Sequence, residues 1–417
     1  MRYILIYIIL LIVFSDRGQA SPKFIAQNNI LLFLGQDMGA IGGFDAPDND
    51  GYYENVGIVA AGITFYTSIP KLNGINEIDN WGSGNSCGGC IVKNPIYKNS
   101  SLAIGLYIVN QLDSINAGHH DKRIDSLANW IKTTNKPVFL RIGYEFDGEW
   151  NSYNPDKYKL SFKRIVDRFR NKSVENCVFV WQSSGRYDST YLLKWYPGDD
   201  YVDWMGYSHF DNKGDGILNL ARSHKKPVMI AESTPKRTLS QGKAKQHWDG
   251  WFAPFFKHIY DNSDVIKCVA YINVNWNAQP IWKNQGWGDS RVEANDTIKQ
   301  WWIDEIKKPI WLQASDTLFK KMNYSLSTTE LETFLTTTDI KVFPNPVENE
   351  IFFEILTPEE IKKIEIHTLE GVLVRSIYYT SSKGNKIDVS QLKSGVYVLT
   401  FTTTYGQKRI CKVVKNT

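Results

Sequence analysis

Between Asn29 and about Trp311 the chain alternates two hydrophobic patterns. Short runs dense in β-branched and aromatic residues cover 31–35, 56–65, 103–109, 138–143, 178–182, 203–208, 228–231 and 266–274, and read as buried strands. Between them, stretches such as 123–132, 155–171, 217–223 and 243–260 carry apolar residues every three or four positions, the period of a helix lying on a sheet. In 155–171, Asn154 caps and Pro155 fills the first helical position. Tyr158, Phe162, Ile165, Val166 and Phe169 form its buried face, which leaves Lys163, Arg164 and Arg168 on a solvated one. Eight strands with interposed helices over roughly 250 residues predict an α/β fold, a (β/α)8 TIM barrel at residues 21–311. A doubly wound open sheet is the alternative, but no glycine-rich phosphate fingerprint follows the first strand.

Beyond Trp311 the pattern changes. Residues 312–340 read as a linker, with 325–339 rich in Ser and Thr and short of apolar periodicity. Residues 341–417 then hold short alternating strands at 351–355, 361–366, 372–379 and 396–402, with turns at Glu370-Gly371 and Ser394-Gly395. They predict a small all-β, sandwich-like domain with no clustered catalytic residue types. At the other end, Arg2, the apolar run 4–14 and the small residues Gly18 and Ala20 read as a signal peptide spanning 1–20. No later run approaches the length of a transmembrane helix.

Charge and composition narrow the partners. A formal net charge of +4 is small for 417 residues and implies no nucleic acid or other polyanion. The 14 Trp, 22 Tyr and 20 Phe are a high aromatic load; most of any protein's aromatics are core, but the flat faces and polar edges of Trp and Tyr also suit stacking on sugar rings. Among five cysteines, Cys177 and Cys268 lie in apolar runs and read as buried. Cys87 and Cys90 sit in a Gly/Ser/Asn-rich loop with no further pair to complete a zinc site, which favours a local disulfide. His119-His120 reads as a solvated loop and the acidic segment 45–51 as a turn, so no metal or cofactor is expected.

The chemistry then rests on two glutamates. Glu145 follows the fourth strand and Glu232 the seventh, so in a parallel barrel both reach the face where active sites are built. Two carboxylates at such a mouth are what glycoside hydrolysis needs, one as acid and the other as nucleophile or base. A separation of about 5–5.5 Å gives retention and a wider one inversion. The structural alternative for Glu145 is an ion pair with Arg141. Other strand ends offer Trp181, Tyr207, His209 and Trp276, and the loop after Glu145 offers Trp150, all expected to line a sugar cleft. Tyr207 or His209 is expected to orient a carboxylate. Loops 45–53 and 81–101 are expected to shape the cleft.

These residues also carry a family resemblance. Arg141-Ile142-Gly143-Tyr144-Glu145-Phe146-Asp147-Gly148 with Trp150, then Val180-Trp181-Gln182, the stretch Tyr196 to Gly206, and Ala231-Glu232-Ser233 resemble glycoside hydrolase family 26. The resemblance implies a clan A retaining barrel with Glu145 as acid/base and Glu232 as nucleophile. It also places Arg141 and Tyr144 in the binding site, Tyr207 near the nucleophile and Trp276 in the subsite of the distorted sugar. Mannanases of the family carry His before the acid/base, whereas Tyr144 stands here, and the octapeptide looks more like the β-1,3-xylanase branch. Val342-Phe343-Pro344-Asn345-Pro346, the stretch Asp388 to Tyr397 and Lys412 to Lys415 resemble the sorting domain of type IX secretion, implying export to the medium or the cell surface. The expectation is a secreted, monomeric, retaining endo-β-glycanase acting on β-1,3-xylan or β-1,4-mannan. The alternatives are a mixed-linkage β-glucanase and a non-catalytic polysaccharide-binding protein on the same barrel.

Overall fold

A computed structural model of the protein describes residues 23–44, 50–324, 340–355, 361–368, 372–378, 385–403 and 408–416. The expected signal peptide, the segment 45–49 and the Ser/Thr-rich 325–339 lie outside the described residues. The chain divides into two units, Met1–Tyr324 and Ser325–Thr417.

The first unit is a closed parallel barrel of eight strands, β1 Ile30–Gly35, β2 Gly62–Ser68, β3 Ser101–Tyr107, β4 Val138–Ile142, β5 Cys177–Ser183, β6 Trp204–His209, β7 Val228–Ser233 and β8 Ile266–Ile272. Each strand pairs with its sequence neighbours, and β8 closes on β1 through Leu31↔Cys268 to Gly35↔Ile272. Alternation sorts the side chains. Leu31, Phe33, Ala103, Phe139, Val178, Val180, Met229 and Cys268 fill the interior, and their neighbours face the helices in a larger cluster. The β1–β2 contact is tight enough that a Cβ on Gly62 would meet the Phe33 ring at 2.4 Å. Among the described residues no helix is long and apolar enough to cross a membrane.

Three expectations need correction here. The second strand starts at Gly62, because Tyr52–Val56 forms a helical turn that ends on left-handed Gly57. The helix expected over 243–260 is Ala244–His247, a π turn Trp248–Phe252 and Ala253–Asp261, the wide turn accommodating Pro254, which has no N–H for an ordinary helical bond. The segment expected to open the linker belongs instead to the barrel. Trp311–Leu312 pairs with the start of β1, and Leu312, Leu318 and Met322 join Phe24 and Ala26 against the interior residues, closing the N-terminal end.

The second unit holds two antiparallel sheets around one core, as the sandwich reading requires. Glu350–Ile355 lies between Ile340–Phe343 and Lys386–Asp388 in one sheet. The other orders Leu373–Tyr378, Ile361–Thr368, Gly395–Thr403 and Lys408–Lys415. Lys408–Lys415 escapes the hydrophobic reading because the inward Cys411 and Val413 are separated by the exposed Lys412 and the strand is bounded by lysines in sequence.

Phe139 packs against Phe33 at 5.3 Å and Trp204 at 5.0 Å inside the barrel. Phe139→Ala is expected to cost about 3–5 kcal/mol, read by urea unfolding of the full chain followed by tryptophan fluorescence.

Candidate active site

Glu145 reaches the mouth through a contorted turn. Gly143 at φ 54 and Glu145 at φ 51 both occupy the left-handed region just past β4. For a glutamate this costs on the order of 1–3 kcal/mol and persists only if the surroundings hold it. Asn151 Nδ2 donates to the carbonyls of Tyr144 at 3.0 Å and Glu145 at 2.9 Å. Buried Asp147 accepts from Ser183 Oγ at 2.7 Å, Ser184 N at 2.6 Å and Ser184 Oγ at 3.0 Å, tying the turn to the end of β5. Phe146 stacks on Trp181 at 4.4 Å. The Glu145 carboxylate accepts from the Trp150 indole N–H at 3.0 Å.

Glu232 arrives differently. Against β6, Tyr207 pairs with Ile230 but Ser208 pairs with Glu232, so Ala231 is an extra residue that bulges β7. Ala231 already faces the interior, and the bulge lets the next side chain face the mouth as well. There Glu232 Oε1 accepts from Arg141 Nη1 at 2.7 Å. Arg141 is fully buried, donates also to Gln182 Oε1 at 3.1 Å and Thr64 Oγ1 at 3.0 Å, and lies over the Tyr66 ring at 4.8 Å. A side chain on Gly105 would meet both Tyr66 and Arg141, so this packing needs glycine on β3. Gln182 Nε2 donates to Ser208 Oγ at 3.1 Å and reaches Glu232 Oε1 at 3.4 Å.

The two carboxylates therefore sit in unlike surroundings. Burial, and then the negative charge of Glu232, push Glu145 up to about 8, against an ordinary value of 4.5. Arg141 sets a buried positive charge against Glu232, while Glu145 is buried with only the Trp150 indole N–H donating to its carboxyl.

Both glutamates line a cleft of about 500 Å³, together with Tyr144, Trp150 and Trp276 from the sequence reading. Trp276, Trp282 and Trp287 pack mutually at 4.6–5.3 Å along it, and Lys236 Nζ lies 4.6 Å over Trp287. Cys87 and Cys90 are joined in a disulfide, and the preceding residues Trp81 to Ser86 contribute to the cleft, as expected of that loop.

Four predicted binding residues lie elsewhere. Arg141 sits beneath the cleft, where it holds Glu232 and lines no part of the cavity. Trp181, Tyr207 and His209 occupy the outward phase of β5 and β6. Trp181 stacks on Phe146, Tyr207 bonds His258 Nε2 at 2.7 Å, and His209 packs on Phe255. Their inward neighbours Gln182 and Ser208 take the place at the site. Sequence reading also missed Tyr66, whose buried hydroxyl lies against Arg141 and Glu232 without a well-formed hydrogen bond among the described residues. Tyr66 sits on β2 in the interior phase, a signal that phasing β2 from Gly62 would have exposed.

A closed parallel barrel presenting this unequal pair in an aromatic cleft places the molecule among the glycoside hydrolases. Residues 94–275 match the model of glycosyl hydrolase family 26. The chain is 33% identical over 331 residues to a β-1,3-xylanase from an Alcaligenes species, covering 72% of this chain and 68% of that one. A β-1,3-xylanase from a Vibrio species is 34% identical over 334 residues, covering 73% and 70%. A family 26 β-mannanase from Bacteroides ovatus shares the fold, with a TM-score of 0.55 and 16% identity over 73% of this chain and 96% of that one. The chain belongs to glycosyl hydrolase family 26. Residues 341–416 match the secretion system C-terminal sorting domain, so the type IX tail read from the sequence stands.

Arg141→Met leaves a carboxylate at the cleft floor without its cation. We expect a loss of about 3–5 kcal/mol of stability and a fall in kcat/KM of at least ~100-fold, read by urea unfolding and by sugar release.

Proposed function

We propose that the protein is a secreted, monomeric, retaining endo-β-1,3-xylanase. Glu145 is the acid/base: protonated at neutral pH, it gives its proton to the glycosidic oxygen as the bond breaks. Glu232, held by Arg141, attacks the anomeric carbon and forms a glycosyl ester. Having given up its proton, Glu145 is a carboxylate that the esterified Glu232 no longer repels; it takes a proton from the water that attacks the ester, which releases the sugar and restores both glutamates. Tyr66 replaces the Tyr207 of the sequence reading as the hydroxyl beside the nucleophile. Trp276, with Trp282 and Trp287, supplies apolar faces for sugar rings, and Trp150, which bonds Glu145, flanks the cleft beside the acid.

The observation that carries the mechanism is the unequal environment of the two glutamates. Xylan is favoured by the identity of 33–34% to two β-1,3-xylanases over nearly three quarters of the chain. β-1,4-Mannan is the second reading, favoured by 29% identity over 110 residues to a mannan endo-1,4-β-mannosidase of Bifidobacterium adolescentis. The apolar segment at 1–20 is the export leader, residues 23–324 form the catalytic unit, and the tail hands the protein to the secretion machinery.

Reducing-sugar release from β-1,3-xylan, β-mannan and mixed-linkage β-glucan tests this. Release is expected to be fastest on β-1,3-xylan, with Glu145→Ala and Glu232→Ala each lowering kcat by roughly 10²–10⁴-fold. Faster release from mannan would select the second reading, and no release from any substrate sinks the proposal.

The pH profile supplies a further check. Loss of the Glu145 proton disables the acid, so kcat/KM is expected to fall as pH rises through about 8. Because the folded state keeps a proton that the unfolded chain releases near 4.5, this group's effect on stability becomes less favourable as pH rises from about 4.5 to 8. Thermal unfolding of wild type against Glu145→Gln across that window reads the difference.

A further inference from the structure

A second cavity of about 390 Å³ lies on the outer helical layer, where the π turn Trp248–Phe252 meets the helix Asp296–Ile306. Two half-buried tryptophans form it. Trp248 is anchored on its core side by Phe252, stacked at 5.2 Å, and by Phe256 at 6.0 Å. Trp301 stands against Trp248 edge to face at 5.4 Å, its sole ring contact among the described residues. Neither indole N–H donates to a protein acceptor among the described residues. The rim is polar. Asp249 is paired with Lys245, and Asp304 accepts from Gln300 through one oxygen at 2.8 Å and leaves the other without a protein donor among the described residues.

We propose that this cavity is a second carbohydrate site, which holds the β-linked polysaccharide away from the catalytic cleft. Two indoles at right angles present one flat apolar face and one wall. That shape takes the C–H face of a pyranose and leaves its hydroxyls to the rim. The free N–H groups and carboxylate oxygens supply donors and acceptors at that rim, which a purely apolar protein partner would leave unsatisfied. The acids here are exposed or paired, and among the described lining residues the two tryptophans supply the apolar surface. The role is retention of a long chain near the enzyme, which raises its effective concentration at the cleft. This inference rests on the glycanase reading for its ligand class.

The test uses affinity electrophoresis of the full chain carrying Glu145→Gln, run through gels containing each of the three polysaccharides named above. Retardation is expected in the gel of the polysaccharide that the wild type cleaves. Trp301→Ala is expected to weaken it at least about threefold, Trp301→Phe to recover part, and Asp304→Ala, which leaves the packing intact, to weaken it as well. On the otherwise wild-type chain, Trp301→Ala is expected to leave cleavage of a short soluble oligosaccharide unchanged while slowing release from the insoluble polysaccharide. Unchanged retardation in all three gels with Trp301→Ala and Asp304→Ala overturns the second site, whatever the hydrolysis assays give. A dimer that Trp301→Ala converts to a monomer would give the cavity to a second copy and overturn it too. Failure of the wild type to cleave any of the polysaccharides contradicts the glycanase reading separately.

Discussion

The fully buried guanidinium of Arg141 and its 2.7 Å bond to Glu232 set the chemistry of the cleft. Taking such a pair out of water costs several kcal/mol per ion, and mutual attraction repays it only where the remaining polar atoms are satisfied. Gln182 and Thr64 do much of that for Arg141, and Gln182 reaches Glu232 in turn. The pair therefore fixes an anion at one side of the cleft. Glu145 is buried across from it, beside no comparable cation among the described residues, and burial together with that repulsion raises it to about 8. In the proposed mechanism, one arginine thus makes two chemically identical side chains into an acid and a nucleophile.

Placing them required two departures from regular backbone. The bulge at Ala231 brings Glu232 round to the mouth, and the left-handed turn at Glu145 bends its side chain off the end of β4. Neither is free, and each is held by neighbours. Asn151 and Asp147 hold the turn through five hydrogen bonds, and Arg141 holds the glutamate beyond the bulge. A rigid barrel allows strain to gather at the strand ends where the site is built.

That division explains what could be read from the sequence. All eight strands, the helix Pro155–Asn171, the barrel and both glutamates were legible, since repeated hydrophobic patterns and strand-terminal carboxylates survive errors of a residue or two. Side-chain phase does not survive them. Trp181, Tyr207 and His209 were assigned to the cleft for their chemistry, yet alternation places them outward and gives the interior to the less conspicuous Gln182 and Ser208. Tyr66 is hidden for a different reason, because the expected second strand, 56–65, stops one residue short of it, whereas the strand runs Gly62–Ser68. Trp282 and Trp287 come from the loop after β8, whose path no period dictates. The expected linker erred where apolar residues too sparse to show periodicity, Leu318 and Met322, close the barrel's open end.

Glu232 as a nucleophile held by Arg141 is tested by trapping the glycosyl intermediate on it. The full-length enzyme is incubated with a fluorosugar whose C2 fluorine slows turnover, digested with protease, and its peptides are weighed by mass spectrometry. One glycosyl unit is expected on the peptide containing Glu232 in the wild type and none after Glu232→Gln. Label on the peptide containing Glu145, or active enzyme that is never labelled and gives a product of inverted anomeric configuration, would contradict it.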